Sequence, residues 1–176
     1  PTLEEEQALR RTLEPLVGRS DVEVIVADGG SSDATTSIAR GLGARVLPVR
    51  PGRGRQMNAG AAVARGEALL FLHADSWLPN DFAEQAWSIL NDGAAAGAFT
   101  LRIRGERRGL RWIEWGANLR SKRLQMPYGD QGLFVRAALF HRLGGFPHWP
   151  LMEDYELCRR LRRPRPPPPP PPPNPP

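Results

Sequence analysis

Runs of strand-forming residues alternate along the chain with stretches whose apolar residues recur at helical spacing. The two clearest runs are Val22-Glu23-Val24-Ile25-Val26 and Ala68-Leu69-Leu70-Phe71-Leu72. A strand buried on both faces reads as such a run and stops where polar, turn-forming residues begin. Ahead of the first run, Leu9, Leu13, Leu16 and Val17 predict a helix over Glu4 to Val17. Ser32 and Asp33 are helix-starting residues for Ala34 to Leu42, and Gly43 supplies the stop. Arg45 to Val49 predicts a short strand, and Pro48 puts it at a sheet edge because proline cannot donate to a ladder. A glycine- and arginine-rich loop, Pro51 to Arg55, leads into an alanine-rich helix from Gln56 to Arg65.

The second half continues the alternation. Pro79, Asn80 and Asp81 open a helix whose apolar face holds Phe82, Ala86, Ile89 and Leu90. Ala95 to Ile103 reads as a strand, Arg108 to Leu124 as a helix, and Leu133 to Val135 as a strand. Leu143-Gly144-Gly145-Phe146 predicts a turn before a helix that begins near Met152. Strands alternating with helices predict an α/β fold, a mainly parallel sheet flanked by helices. Residues 1 to 163 read as one domain. The tail from 164 to 176 is almost pure proline, extended polyproline II or disorder, with an artefactual end as the plainer reading. Pro1-Thr2-Leu3 opens directly onto a helix, so the first strand is expected to be missing from this chain.

Composition narrows the class. With 40% apolar residues in 176, the chain can build one ordinary core. No apolar stretch approaches the ~20 residues of a membrane-spanning helix, and no signal peptide is recognisable. The single cysteine, Cys158, excludes an internal disulfide and reads as a buried thiol, so a cytoplasmic location is expected. The net charge of +5 is almost entirely arginine, with Lys122 as the only lysine. Apart from Arg102 to Arg123 and Arg159 to Arg165 these arginines are scattered, which argues against nucleic acid and for phosphates or an anionic membrane face as partners.

The chemistry begins at the strand ends. Asp28 and Asp33 follow the first run, and His73-Ala74-Asp75 follows the second. Open α/β sheets bind ligands in the crevice outside the carboxyl ends of their strands, so the two acidic stretches would face one crevice. That arrangement suits a nucleotide diphosphate with a bridging divalent cation. Asp28, as an acceptor-only carboxylate, suits imide or ribose donors, whereas Asp33 also reads as a first-turn acid favoured by the helix dipole. Arg53, Arg55 and Asn58 sit where phosphate or base contacts form, or on a solvated loop. Trp149 could stack on a sugar or fill a core. Glu153-Asp154-x-Glu156 offers a general base, or an acidic first turn on a helix ending in arginines.

In this order the motifs resemble those of the family-2 inverting glycosyltransferases of the GT-A fold, whose core is a Rossmann-like sheet. Val26-Ala27-Asp28-Gly29-Gly30-Ser31-Ser32-Asp33 is similar to the family's Asp-Gly-Ser-x-Asp nucleotide motif. His73-Ala74-Asp75 lies where Asp-x-Asp belongs, with histidine replacing the first acid. Met152-Glu153-Asp154 is similar to the Glu-Asp pair carrying the base. Gly129-Asp130-Gln131-Gly132 and Phe71-Leu72-His73-Ala74-Asp75 together resemble a bacterial subgroup labelled arsenosugar-biosynthesis-type glycosyltransferases.

The resemblance implies an enzyme that transfers a sugar from a nucleotide-diphospho-sugar to an acceptor hydroxyl with inversion. It implies Asp154 as catalytic base with Glu153 as its partner. Asp28, Asp33, Arg53, Arg55, Asn58 and Asp75 would hold the donor. Asp75 would meet magnesium or manganese, with His73 either a second ligand or a hydrogen-bonded strand-end residue, and Asp130, Gln131 and Trp149 would line the acceptor side. A sugar-phosphate nucleotidyltransferase and a catalytically degenerate nucleotide-sugar-binding module are the alternatives, although the lysine-bearing loop of the former is absent.

Overall fold

The computed structural model describes residues 1–103, 110–112, 114–116, 118–119, 131–149 and 151–162. The Asp130 expectation, most of the 108–124 helix and the tail beyond 163 lie outside these residues. Among the described residues no helix is long and apolar enough to cross a membrane.

The elements run α1 (Leu9–Leu13), β1 (Ile25–Asp28), α2 (Thr35–Gly41), β2 (Arg45–Pro48), α3 (Arg53–Val63), β3 (Ala68–Phe71), α4 (Phe82–Asn91), β4 (Ala96–Gly97), β5 (Leu133–Arg136), α5 (Ala137–Arg142) and α6 (Glu153–Leu161). β1 and β2 pair in parallel, from Ile25 opposite Arg45 to Asp28 opposite Pro48, and β2 lies at the edge that its proline predicts. Thr2 bridges Asp28 in parallel on the other side of β1: its amide donates to the Ala27 carbonyl at 3.0 Å, and its carbonyl accepts from the Gly29 amide at 2.8 Å. β3, β5 and β4 form a second, antiparallel sheet with β5 in the centre. Among the described residues the parallel pairing is therefore that of the amino-terminal sheet, and the second sheet is antiparallel. Strand direction is decided by packing at long range, which a hydrophobic run does not encode.

Several bounds differ from the sequence expectation: the strand expected over Val22–Val26 lies at Ile25–Asp28, so Asp28 is its last residue. The 95–103 run yields strand only at Ala96–Gly97, although Phe99 still donates its amide to the Gln131 carbonyl at 2.8 Å. The first helix shrinks to Leu9–Leu13 with turns on both sides. α3 begins at Arg53, three residues earlier than expected, because the glycines that suggested a loop sit within or just before its first turn. Arg53 and Arg55 are thus first-turn residues, and Asn58 is inside the helix.

The main core gathers Met57 of α3, Leu69 and Phe71 of β3, Leu133 and Val135 of β5, and Leu157 of α6. Phe71, Phe140 and Phe146 stack within it at centroid separations of 5.0, 4.8 and 5.4 Å. Each such pair adds roughly 0.5–1.5 kcal/mol beyond its buried area. The triad fastens the end of β3 to the loop before α6. A second cluster packs Leu9 and Leu13 of α1 against Val26 and Ala39. Between the inner edges of β1 and β3 lies an apolar cavity of about 280 Å³, bordered by Val24, Val26, Leu70 and Leu72.

Candidate functional site

The strand-end loops are organised by their own carboxylates. Asp28 is 3% exposed, and its Oδ1 accepts from Thr2 Oγ1 at 3.0 Å and Ser31 Oγ at 2.6 Å. Its Oδ2 accepts from the Gly30 and Ser31 amides, both at 2.9 Å. A carboxylate offers about four acceptor sites, so the chain itself fills them. Burial alone would raise the Asp28 pKa. The bonds from Ser31, Gly30 and Thr2 outweigh burial, and the carboxyl titrates below its ordinary value. Asp33 behaves similarly, opposing burial with bonds from Thr35 and the Glu6 amide, and its pKa is also lowered. Both acids shape the loop that begins where β1 ends.

The His73–Asp75 turn is fixed from α1, where buried Thr12 Oγ1 donates to the Ala74 carbonyl at 2.6 Å. This leaves the Asp75 side chain exposed. Glu5 lies in the field of Asp75 and Asp33. Burial first, then these two charges, raise its pKa, and the chain's amino group opposes them. Three carboxylates from separate segments therefore face a common region. Among the described residues no group of three or more His, Cys, Asp or Glu has a geometry that could hold a metal by itself. A single exposed carboxylate such as Asp75 fits a magnesium or manganese ion whose other positions are water and phosphate oxygens.

Helix α3 joins this region to the opposite wall. Gln56 is buried, and its Nε2 donates to the Thr2 carbonyl at 2.8 Å and the Ala27 carbonyl at 2.9 Å. Its Oε1 accepts from the Gly52 amide at 3.2 Å. Three residues earlier, Arg53 Nε donates to Glu153 Oε1 in an ion pair. Glu153 is 1% exposed, and its Oε2 has no hydrogen-bond partner among the described residues. Asn58 Nδ2 donates to the Phe146 carbonyl at 2.8 Å, and the Phe146 amide returns a bond to Asn58 Oδ1 at 2.9 Å. Gly54 lets α3 approach: a Cβ there would lie 2.7 Å from the Pro147 carbonyl oxygen. The sequence missed Gln56 and Gly54. Their signal was available as a lone glutamine and a glycine in an otherwise alanine-rich helix.

The turn before α6 is strained. Met152 has φ of 67° and ψ of 25°, the left-handed region that non-glycine residues avoid. Asp154 follows as the second residue of α6, half-buried, with Oδ1 accepting from the Tyr155 amide at 2.7 Å. Trp149 is 50% exposed, so it is a surface ring rather than a core one. Gln131 is buried, and its Nε2 donates to the Phe99 carbonyl and to Asn118 Oδ1, both at 3.3 Å. Arg55 stays exposed, and its Nη1 donates to the Pro51 carbonyl. The structure thus joins Arg53 to Glu153 and Asn58 to Phe146, while Gln56 ties the same helix to the Ala27 carbonyl beside Asp28.

Comparison with known proteins agrees with this architecture. The family model described as glycosyl transferase family 2 matches residues 1–142. Glucosyl-3-phosphoglycerate synthase of Mycolicibacterium paratuberculosis is 34% identical over 87 residues, 43% of this chain and 26% of that protein. The mannosyltransferase PcManGT from Pyrobaculum calidifontis, solved with GDP-Man and Mn²⁺, superimposes with a TM-score of 0.71 at 21% identity. That match covers 92% of this chain and 50% of PcManGT. TarS from S. aureus, solved also with UDP-GlcNAc, gives 0.70 at 19% identity, covering 92% of this chain and 51% of TarS. Glucosyl-3-phosphoglycerate synthase from Mycobacterium tuberculosis gives 0.52 at 26% identity, covering 78% and 56%. The chain spans about a quarter of the curated relative and about half of the solved structures.

Proposed function

The chain belongs to glycosyl transferase family 2, and we propose that it carries the donor-binding and base-bearing part of an inverting glycosyltransferase. Its donor would be a nucleotide-diphospho-sugar and its acceptor a hydroxyl compound. The observation that carries the reading is α3, which bonds through Gln56 to the Thr2 and Ala27 carbonyls beside Asp28, through Arg53 to Glu153, and through Asn58 to Phe146 in the loop before α6. A donor-side loop and a carboxylate base thereby share one support, as in-line displacement at an anomeric carbon requires.

Each residue then has a task. The Asp28–Asp33 loop, held rigid by Asp28 itself, presents its surface to the nucleotide. Asp75, with Glu5 beside it, would hold a magnesium or manganese ion, and His73 would stand next to that ion. When bound, the cation supplies charge neutralisation for the leaving diphosphate. Arg55 faces the same phosphates from the first turn of α3, whereas Arg53 is engaged by Glu153. Asp154 Oδ takes the acceptor hydroxyl's proton as that oxygen attacks the anomeric carbon from the face opposite the nucleotide. Trp149 offers its exposed ring to a sugar face. The complexes of similar proteins with GDP-Man and Mn²⁺ and with UDP-GlcNAc support the ligand class.

Calorimetry of the full-length protein with Mn²⁺ and uridine, guanosine and thymidine diphospho-sugars tests the donor class. Binding of one of them, followed by NMR of the product showing inverted anomeric configuration, is the expected outcome. Absence of binding by all three sinks the reading, and retained configuration removes Asp154 from the base role.

A further inference from the structure

The Glu-Asp pair holds two carboxylates in very different surroundings. Glu153 is almost wholly buried, whereas Asp154 is half-buried at the start of α6. One Glu153 oxygen takes the Arg53 guanidinium, and the other is buried without a partner among the described residues. A buried, half-satisfied charge is a poor way to gain stability, because desolvation offsets most of the attraction. A buried polar group left in that state calls for a role other than stability.

Four contacts converge on the same short segment. Arg53 holds Glu153, Asn58 brackets the Phe146 backbone from both sides, Gly54 admits the Pro147 carbonyl, and the Phe146 ring locks onto Phe71. Between these anchors Met152 sits in a left-handed conformation. A non-glycine residue keeps such a geometry only when its surroundings over-determine it. Releasing an anchor would let Met152 relax, and Asp154, two residues on, would turn with it.

We propose that Glu153 and Asn58 are positioning residues: through Arg53 and the Phe146 backbone they hold the strained Met152 turn that aims Asp154. Glu153 touches no reacting atom in this scheme, so it is separated from the base role that its neighbour carries. The inference rests on the glycosyltransferase reading for its kinetic consequence, but the clamp itself is readable without turnover.

The test uses Glu153→Gln and Asn58→Ala in the full-length protein, with hydrogen exchange of the 152–157 amides measured beside steady-state kinetics. In both variants these amides exchange faster, and kcat falls on the order of 100-fold, as for a misplaced catalytic group. Donor Kd stays within about threefold, which separates orientation from ground-state binding. Adding Met152→Gly to Glu153→Gln restores part of the lost kcat, because glycine adopts the left-handed turn without the clamp. Unchanged exchange in both variants overturns the proposal. So does a loss of kcat with exchange unaltered, which would instead put Glu153 on the substrate. If the wild-type protein turns over no donor, the glycosyltransferase reading fails, and the exchange measurement still decides the clamp.

Discussion

Asn58 and Phe146 exchange two hydrogen bonds although 88 positions separate them, one at 2.8 Å and one at 2.9 Å. The side-chain amide of Asn58 acts toward the Phe146 backbone as a neighbouring strand would, satisfying both its N–H and its C=O. A residue that looked suited to a phosphate or a base is thereby occupied inside the protein. The same holds for Asp28, whose four acceptor positions are filled by Thr2, Gly30 and Ser31. In both cases a polar side chain near the crevice acts by shaping the backbone that faces the ligand.

Asp154→Asn should abolish transfer while leaving donor affinity nearly intact. An asparagine keeps the shape but cannot take the hydroxyl proton, so kcat should fall by roughly 100-fold or more. Single-turnover transfer and donor calorimetry measure the two quantities separately. Equal loss of both would assign Asp154 to donor binding.

Gln56→Ala should destabilise the fold by about 0.5–1.5 kcal/mol, because the Thr2 and Ala27 carbonyls lose a second, side-chain donor and keep only the backbone amides of Gly29 and Thr2. Urea unfolding checks this through a lower midpoint at unchanged slope. A midpoint equal to the wild type would mean that water replaces the glutamine without cost.

Stability should fall in acid through Asp28. Its folded pKa is lowered, so its contribution is complete above the ordinary carboxylate range of about 3.9 and is lost as pH drops through the lower folded value. Thermal melting from neutral pH into acid should show Asp28→Asn as the less stable protein at neutral pH. The difference from wild type should shrink at low pH. A constant difference across that range would show that the pKa is not lowered.

Cys158 should resist thiol reagents in the native state. Burial, reinforced by the nearby Asp154 charge, pushes its pKa up to about 12, so almost no thiolate forms at neutral pH. Labelling by a disulfide reagent should require denaturant. Fast native labelling would show that the α6 face opens readily.

Gly54→Ala should move α3 away from the 146–153 loop, since the added Cβ would meet a backbone oxygen at 2.7 Å that cannot swing aside. A cost of about 1–3 kcal/mol follows from such overpacking. Unchanged melting together with unchanged kcat would refute the close approach as a constraint.

What the sequence determined by itself was local. The runs at 22–26 and 68–72 mark where strands form, although β1 is shifted to Ile25–Asp28 and β3 ends at Phe71 with only alternate positions fully buried. Asp28 and Asp75 mark the polar stops where those strands end, Pro48 specifies an edge, and the lone Cys158 is buried as its neighbours imply. Tertiary structure decided the rest. The antiparallel course of β5 beside β3, the bond of Arg53 to Glu153, and the bracket of Asn58 on Phe146 all join residues far apart in the chain. No periodicity encodes such pairs, since each depends on where α3 comes to rest against both walls of the crevice. That helix, unremarkable as an alanine-rich stretch, becomes the support of the site only once the core has closed around it.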